Sequence, residues 1–276
     1  MSRTIGWLCL ALALMGCADG RDARTNAARI AASAGLRRMD IDAATFHLVA
    51  HARFGSAPVL RVYIEGDGHA WMHRDTPSED PTPWSPVALA LAARDPAPSV
   101  AYLARPCQYV TPGSDPNCSV HDWTDGRYAE PVIASTNVAI DRLLVASGAR
   151  ELEVVGFSGG GVVAALVAAR RHDVANLRTV AANLDTAAWT ARQQLSPLTG
   201  SLNPADFAVQ LQNIPQMHFV GEDDSVVDTA IVRAFQARFP RVDCVHATIV
   251  PAVRHVEGWL EIWPILLRLP VRCEPH

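Results

Sequence analysis

Short apolar runs alternate with longer segments of helical periodicity along most of the chain beyond residue 45. The apolar runs predict strands over residues 46–51, 59–64, 100–103, 152–157, 177–182, 217–220 and 244–250. The segments between the later runs predict helices over residues 132–146, 162–171, 205–211, 229–239 and 259–267. Strands separated by helices predict an α/β domain with a mainly parallel sheet of about seven strands and helices on both faces.

The edges of this domain are less regular than its centre. The gap between the first two predicted strands is short, so we expect residues 46–64 to form a hairpin. An Ala- and Arg-rich stretch over residues 17–40 predicts a tether, which leaves residues 41–276 as the folded domain. Residues 71–98 and 184–213 are expected to leave the sheet, and residues 105–130 and 184–213 are candidate cap segments.

The N-terminal residues have the pattern of an export signal. Arg3 precedes an apolar run over residues 5–15, which is too short to span a bilayer. The run ends in Leu-Met-Gly-Cys at 14–17, which resembles the lipobox of bacterial lipoproteins. That resemblance implies a signal peptide over residues 1–16, a lipid on Cys17 and an envelope location. Ala18, where retained lipoproteins usually have Asp, favours the outer membrane; the alternative is an ordinary signal peptide with an incidental cysteine.

The remaining cysteines fit an oxidising compartment. Cleavage would remove Cys9 and lipidation would occupy Cys17, which leaves an even number in the domain. Among the three possible pairings we favour Cys107 with Cys118, because both lie in one loop rich in Pro, Gly and Asp. Cys244 with Cys273 would then join the last strand to the C-terminal segment.

Composition and charge exclude several functions. Hydrophobic residues make up 49% of the 276 residues, enough for a packed core, and the net charge is −4. All 24 basic residues are Arg. The absence of Lys rules out Schiff-base chemistry and a lysine-dependent phosphate loop. The mild acidity and the lack of a long Arg cluster argue against a nucleic-acid partner.

A glycine-rich turn follows the predicted strand at residues 152–157. It reads Gly-Phe-Ser-Gly-Gly-Gly over 156–161, which matches the G-x-S-x-G nucleophile elbow, with an Ala- and Val-rich helix behind it. Small neighbours let the strand and helix approach closely enough to expose the hydroxyl of Ser158. The alternative is a phosphate-binding turn at a helix N-terminus. A dinucleotide fingerprint is excluded because the G-x-G-x-x-G spacing is absent.

A serine nucleophile requires a base and an acid that orients the base. We expect His255 to be the base, since it lies in a loop beyond the last strand, whereas His218 and His246 lie within strands. Asp224 is the favoured acid because it stands three residues beyond Gly221 in a G-x-x-D-x-V-V sequence. Asp223 and Asp185 remain alternatives, and Asp228 is expected to cap the helix that follows it.

An oxyanion hole requires two amide donors aimed at the developing charge. One is expected from Gly159, the residue after the nucleophile. The other is expected from the loop Glu-Gly-Asp-Gly-His at 65–69, with Asp67 as the first choice and Gly68 as the second. His69 and His73 have the spacing of a metal pair, but no third ligand is evident, so we predict no metal and no cofactor.

The order Ser, Asp, His along the chain resembles that of the α/β-hydrolase superfamily. The resemblance covers residues 45–270 and extends to exported α/β-hydrolase lipoproteins through Arg-Pro-Cys-Gln-Tyr at 105–109 and Trp-Thr-Asp-Gly-Arg-Tyr at 123–128. Glu65 departs from the His that the superfamily often has there. A second departure is an edge strand that the sequence pattern does not show.

The resemblance implies acyl transfer by Ser158, His255 and Asp224, most simply from a small-molecule or lipid ester. Peptides, thioesters and acyl-lipids are the other substrates it allows. A different hypothesis is a non-catalytic binding lipoprotein that uses the same fold. Side chains near the loop cysteines, together with Trp189, either cover the active site or only pack; they are His121, Trp123 and Tyr128.

Overall fold

A computed structural model describes residues 23–274 of the chain. The expected signal peptide and Cys17 therefore lie outside the described residues. Within the described part, none of the helices combines the length and the apolar character needed to cross a membrane.

The core of the domain is an eight-stranded sheet in the order β1-β2-β6-β3-β7-β8-β9-β10. The antiparallel pairs are β1 with β2 and β2 with β6, and the other neighbours run parallel. A separate two-stranded hairpin consists of β4 and β5. The strands are β1 Arg37–Ala43, β2 Phe46–Arg53, β3 Val59–Ile64, β4 Trp71–His73, β5 Thr76–Pro77, β6 Val100–Leu103, β7 Glu151–Phe157, β8 Val174–Val180, β9 Gln216–Gly221 and β10 Val245–Val250.

Helices cover both faces of the sheet. They are α1 (residues 23–33), α2 Val87–Ala93, α3 Glu130–Ser147, α4 Gly159–Ala168, α5 Thr186–Arg192, α6 Ala208–Leu211, α7 Thr229–Gln236 and α8 Trp259–Leu266, with 3-10 turns at Val120–Trp123 and Pro204–Phe207. Leu152 and Val154 of β7 pack in the cluster that contains α3 and α4. Val155 and Phe157 pack in the opposite cluster with α1, α2 and α8. Successive side chains of β7 thus point to opposite faces of the sheet, and both faces are buried.

The expected hairpin over residues 46–64 is wrong. Strand β6 lies between β2 and β3, antiparallel to the first and parallel to the second. A strand remote in sequence therefore separates two strands that are close in sequence. Local spacing carries no signal for such an insertion.

The edge strand missing from the sequence pattern is present as β1. Its sequence Arg-Arg-Met-Asp-Ile-Asp-Ala alternates charged with apolar residues, and such charge is typical of the edge of a sheet. Ala23, Ala27 and Ala31 of α1 are also buried. Residues 23–40 are therefore part of the folded domain, which corrects the tether expected over residues 17–40.

Two disulfide bonds join the pairs of cysteines favoured from the sequence. The Cα atoms of Cys107 and Cys118 are 5.7 Å apart, and those of Cys244 and Cys273 are 4.0 Å apart. The first bond closes the loop after β6. The second joins the residue before β10 to the C-terminal segment.

Candidate active site

Ser158 lies on a strained turn between β7 and α4. Its backbone has φ 51° and ψ −124°, a conformation that residues other than glycine rarely adopt and that costs about 1–3 kcal/mol. A side chain on Gly160 would collide with the backbone carbonyl of Ile64, and one on Gly156 would collide with the carbonyl of Gly160. The two glycines let α4 start directly against the sheet, which holds Ser158 in the exposed turn.

Ser158, His255 and Asp224 form a continuous line of polar contacts. The Ser158 Oγ atom lies 3.0 Å from His255 Nε2, and His255 Nδ1 lies 2.9 Å from Asp224 Oδ2. The other carboxylate oxygen of Asp224 accepts hydrogen bonds of 2.8 Å from the amides of Val226 and Val227. The Asp224 side chain is fully buried, whereas the His255 side chain is 18% exposed. The Asp224 carboxylate is therefore fixed inside the domain, whereas the imidazole of His255 is partly open to solvent.

Neither of the alternative acids contacts His255. Asp223 is exposed beside Asp224, and Asp185 caps α5 by accepting a hydrogen bond of 3.0 Å from Ala188. Asp228 caps α7 through the amide of Ala230, as the sequence predicted. The geometry therefore favours Asp224 among the three acids that the sequence left open.

The competing histidines take part in other contacts. His218 is buried, and its Nδ1 atom lies 2.9 Å from Thr179 Oγ1. Burial lowers the pKa of His218 to about 3. The Nε2 atom of His246 lies 3.0 Å from the carbonyl oxygen of Arg272. His69 stacks on Trp84, and no group of three or more potential metal ligands occurs among residues 23–274.

The two expected oxyanion donors lie against each other. A side chain on Gly159 would collide with the carboxylate of Asp67, which places the loop after β3 directly beside the start of α4. Within the described residues, the amides of Gly159 and Asp67 donate no hydrogen bond to a protein acceptor.

The side chain of Asp67 is held by three polar groups from segments remote in sequence, a set of contacts that the sequence did not predict. Its carboxylate accepts bonds of 3.0 Å from Arg105, Arg127 and the hydroxyl of Tyr128. Burial alone would raise the pKa of Asp67, but the two guanidinium groups outweigh it and lower the pKa. These contacts fix the loop at residues 65–69, which we call the oxyanion loop after the role expected for it. The motifs at 105–109 and 123–128 contain the partners, but no local pattern links them to Asp67.

Glu65, at the start of the oxyanion loop, is 2% exposed. Its carboxylate accepts hydrogen bonds from the amides of Gly66 at 3.0 Å, Ala88 at 3.3 Å and Leu89 at 3.5 Å. Burial raises the pKa of Glu65 to about 7, although these amide donors oppose the rise. Glu65 therefore joins the oxyanion loop to the first turn of α2.

A cleft of about 880 Å³ is lined by Arg127, the partner of Asp67, and by none of Ser158, Asp224 and His255. Its walls come from the β4–β5 hairpin, from residues 124–127 and from residues 189–198. Trp189, one of the residues expected to cover the site, lines the cleft. Trp123 and Tyr128 are instead buried in the main core, and His121 packs beside Gly126 and Gly200.

Solved structures with this architecture are numerous, although no family model and no curated protein matches the chain. The chain is similar to an esterase from Pyrococcus furiosus, with 14% identity, a TM-score of 0.59 and coverage of 85% of this chain and 90% of the esterase. It is similar to Est1E from Butyrivibrio proteoclasticus, with 15% identity, a TM-score of 0.57 and coverage of 84% and 96%. It is also similar to an α/β serine hydrolase homologue from Coxiella burnetii, with 18% identity, a TM-score of 0.56 and coverage of 84% and 95%.

These likenesses, together with the sheet order, establish that the chain has the α/β-hydrolase fold. The fold class expected from the sequence is confirmed, with eight strands in the sheet where about seven were expected. At this level of identity the comparison concerns the fold.

Proposed function

We propose that this chain is a serine hydrolase that transfers the acyl group of a carboxylic ester to water. The observation that carries the proposal is the continuous contact from Ser158 through His255 to Asp224 at a strained turn. Nucleophile, base and orienting acid within hydrogen-bond reach of each other are the signature of nucleophilic acyl transfer. Esterases among proteins of the same fold support the choice of substrate class.

In the proposed reaction Ser158 Oγ attacks the ester carbonyl carbon while His255 Nε2 takes the hydroxyl proton. The amides of Gly159 and Asp67 stabilise the oxyanion. The C–O bond then breaks, and the alcohol leaves with the proton from His255. Water attacks the acyl-enzyme, giving its proton to His255, and the acid leaves as Ser158 regains a proton. Asp224 holds the imidazole in the tautomer that accepts from Ser158 and stabilises its charge.

Labelling with a fluorophosphonate probe tests the nucleophile without any choice of substrate. The wild-type protein should form a covalent adduct on Ser158, and Ser158→Ala should form none while it keeps the same circular dichroism spectrum. Ser225→Ala is the matched control, because Ser225 is an exposed serine in the loop that carries Asp224. An unlabelled wild-type protein, or equal labelling of the Ser158→Ala variant, would contradict the proposal.

We further propose that the protein is anchored in the bacterial envelope, in the outer membrane, through a lipid on Cys17. The apolar run before Leu-Met-Gly-Cys at 14–17 and the two disulfide bonds support export. Radiolabelled palmitate should be incorporated into the wild-type protein but not into Cys17→Ser. Incorporation by both proteins, or by neither, would contradict the lipid anchor and leave the hydrolase proposal unaffected.

A further inference from the structure

The cleft beside the site has walls that connect to both halves of the proposed catalytic machinery. On one side, Arg127 lines the cleft and donates to Asp67, whose carboxylate lies against Gly159. On the other side, the indole nitrogen of Trp189 donates to the carbonyl oxygen of Val226 at 2.8 Å. The amide of Val226 donates to Asp224. The two walls of the cleft are therefore each in hydrogen-bond contact with one of the two loops that carry Asp67 and Asp224, through Arg127 on one side and Trp189 on the other.

Much of the cleft lining consists of apolar side chains. Its apolar members come from two separate segments of the chain, the β4–β5 hairpin and residues 189–198; they are Trp71, Met72, Trp189, Leu195, Pro197 and Leu198. Trp71 and Leu195 are each 37% exposed, which is high for such large apolar side chains. Flat indole rings and leucine side chains suit a bulky ring or a branched alkyl group.

The arginines of the lining already have partners, whereas the exposed carboxylate of Asp75 accepts a hydrogen bond only from the neighbouring Thr76. Arg127 is paired with Asp67, and the amide of Gly200 donates to Asp125 at 3.0 Å. The guanidinium of Arg74 donates to the carbonyl oxygen of Gln194 at 3.2 Å, which joins the hairpin wall to the opposite wall. An anionic ligand would have to compete for these arginines and would meet the carboxylate of Asp75, whereas an uncharged ligand would do neither.

We propose that the cleft binds an uncharged, ring-bearing or branched apolar group of the ester substrate. The inference rests on the proposed hydrolase function and names its substrate class. A volume of about 880 Å³ is far larger than an acetyl group requires and lies within the range of sites for small organic ligands. The preferred substrates are therefore esters with a large apolar part rather than short aliphatic or carboxylate-bearing esters.

The test compares kcat/KM for four p-nitrophenyl esters: acetate, butyrate, 3-phenylpropanoate and the carboxylate-terminated glutarate. A second series of 3-phenylpropyl and ethyl acetates asks the same question of the alcohol part. In one of the two series the phenyl-bearing ester should exceed the short ester roughly tenfold or more, and glutarate should be the poorest of the four. Equal rates in both series, or a preference for glutarate, would overturn the cleft inference.

Variants locate the preference in the cleft. Trp71→Ala and Leu195→Ala should each lower the ratio of phenyl-bearing to short ester by about fivefold, and Trp71→Phe should restore most of it. Trp84→Ala is the control, because Trp84 is an exposed tryptophan outside the lining. The ratio cancels any effect common to both esters.

The outcomes separate the two proposals. If Ser158 is labelled by the fluorophosphonate but the ratio is the same in all variants, the cleft inference is wrong and the hydrolase proposal stands. If Ser158 is not labelled and no ester is hydrolysed, the hydrolase proposal itself fails, and the cleft inference fails with it.

Discussion

The buried carboxyl group of Glu65 makes stability depend on pH in a way that a single substitution can isolate. Burial raises its pKa from 4.5 to about 7. One unit of pKa corresponds to about 1.4 kcal/mol, so ionised Glu65 costs the folded state about 3 kcal/mol. Glu65→Gln keeps the shape and an acceptor oxygen for the amides of Gly66 and Ala88, and it cannot ionise. Its NH2 group takes the place of the oxygen that faces Leu89, where the protonated acid can also carry its hydroxyl.

The direction in which the free energy of unfolding changes with pH depends on which state binds more protons. Between pH 4.5 and about 7 the folded state keeps a proton on Glu65 that the unfolded state has lost, so the free energy of unfolding falls as pH rises. His51 and His218 act oppositely, because burial lowers their pKa values to about 4 and about 3. The wild type and the Glu65→Gln variant share these histidines, so the histidine contributions cancel in the comparison. Burial raises the pKa of Tyr102 and of Tyr109 above the usual value, so neither tyrosine ionises between pH 5 and pH 8.

Urea unfolding of the wild type and of Glu65→Gln at pH 5 and pH 8 measures the effect. The variant should be more stable than the wild type by about 1 kcal/mol at pH 5 and by about 3 kcal/mol at pH 8. Glu222→Gln, at an exposed position, is the matched control for the loss of a carboxyl group. A difference between wild type and Glu65→Gln that is the same at both pH values would refute the reasoning.

Three further predictions concern the site and its support. Asp224→Asn should lower kcat on the order of 10⁴-fold because it favours the wrong imidazole tautomer, whereas Asp185→Asn should keep most activity; the reverse result in ester assays would move the acid to Asp185. Gly159→Ala should lower both the melting temperature and the labelling rate, since its methyl group would collide with the neighbouring carboxylate, and unchanged values would disprove that crowding. Non-reduced peptide mapping should show Cys107 joined to Cys118, and alkylation of both thiols in native protein would contradict this; in the chain-entropy model the bond contributes about 3 kcal/mol.

Patterns within one segment were enough to predict the central strands and the loops that follow them. The apolar runs before Ser158 and Asp224 are buried on both faces of the sheet, so each is visible as an apolar run without reference to its neighbours. In parallel strands the carboxyl ends meet at one edge, so the sequence predicted that the loops of Ser158 and His255 converge there, while it left the acid open between the loops of Asp224 and Asp185. The glycines around Ser158 predicted the sharp turn between strand and helix, because the close approach of the two elements excludes any larger residue there.

Contacts between segments remote in sequence needed the tertiary structure. Strand β1 was missed because an edge strand buries one face only, and its charged residues resemble those of a tether. The insertion of β6 between β2 and β3 depends on pairing energies that no local pattern contains.

The same limit applies within the site. Asp224, Asp223 and Asp185 are chemically alike, and only the direction of each side chain separates the acid beside His255 from a surface group and a helix cap. Arg105 and Arg127, which bind the carboxylate of Asp67, lie 38 and 60 positions after it in the sequence. A short-range pattern in the chain records which residue types are present, but packing alone decides which of them meet, because contact depends on distance in space and not on distance along the chain.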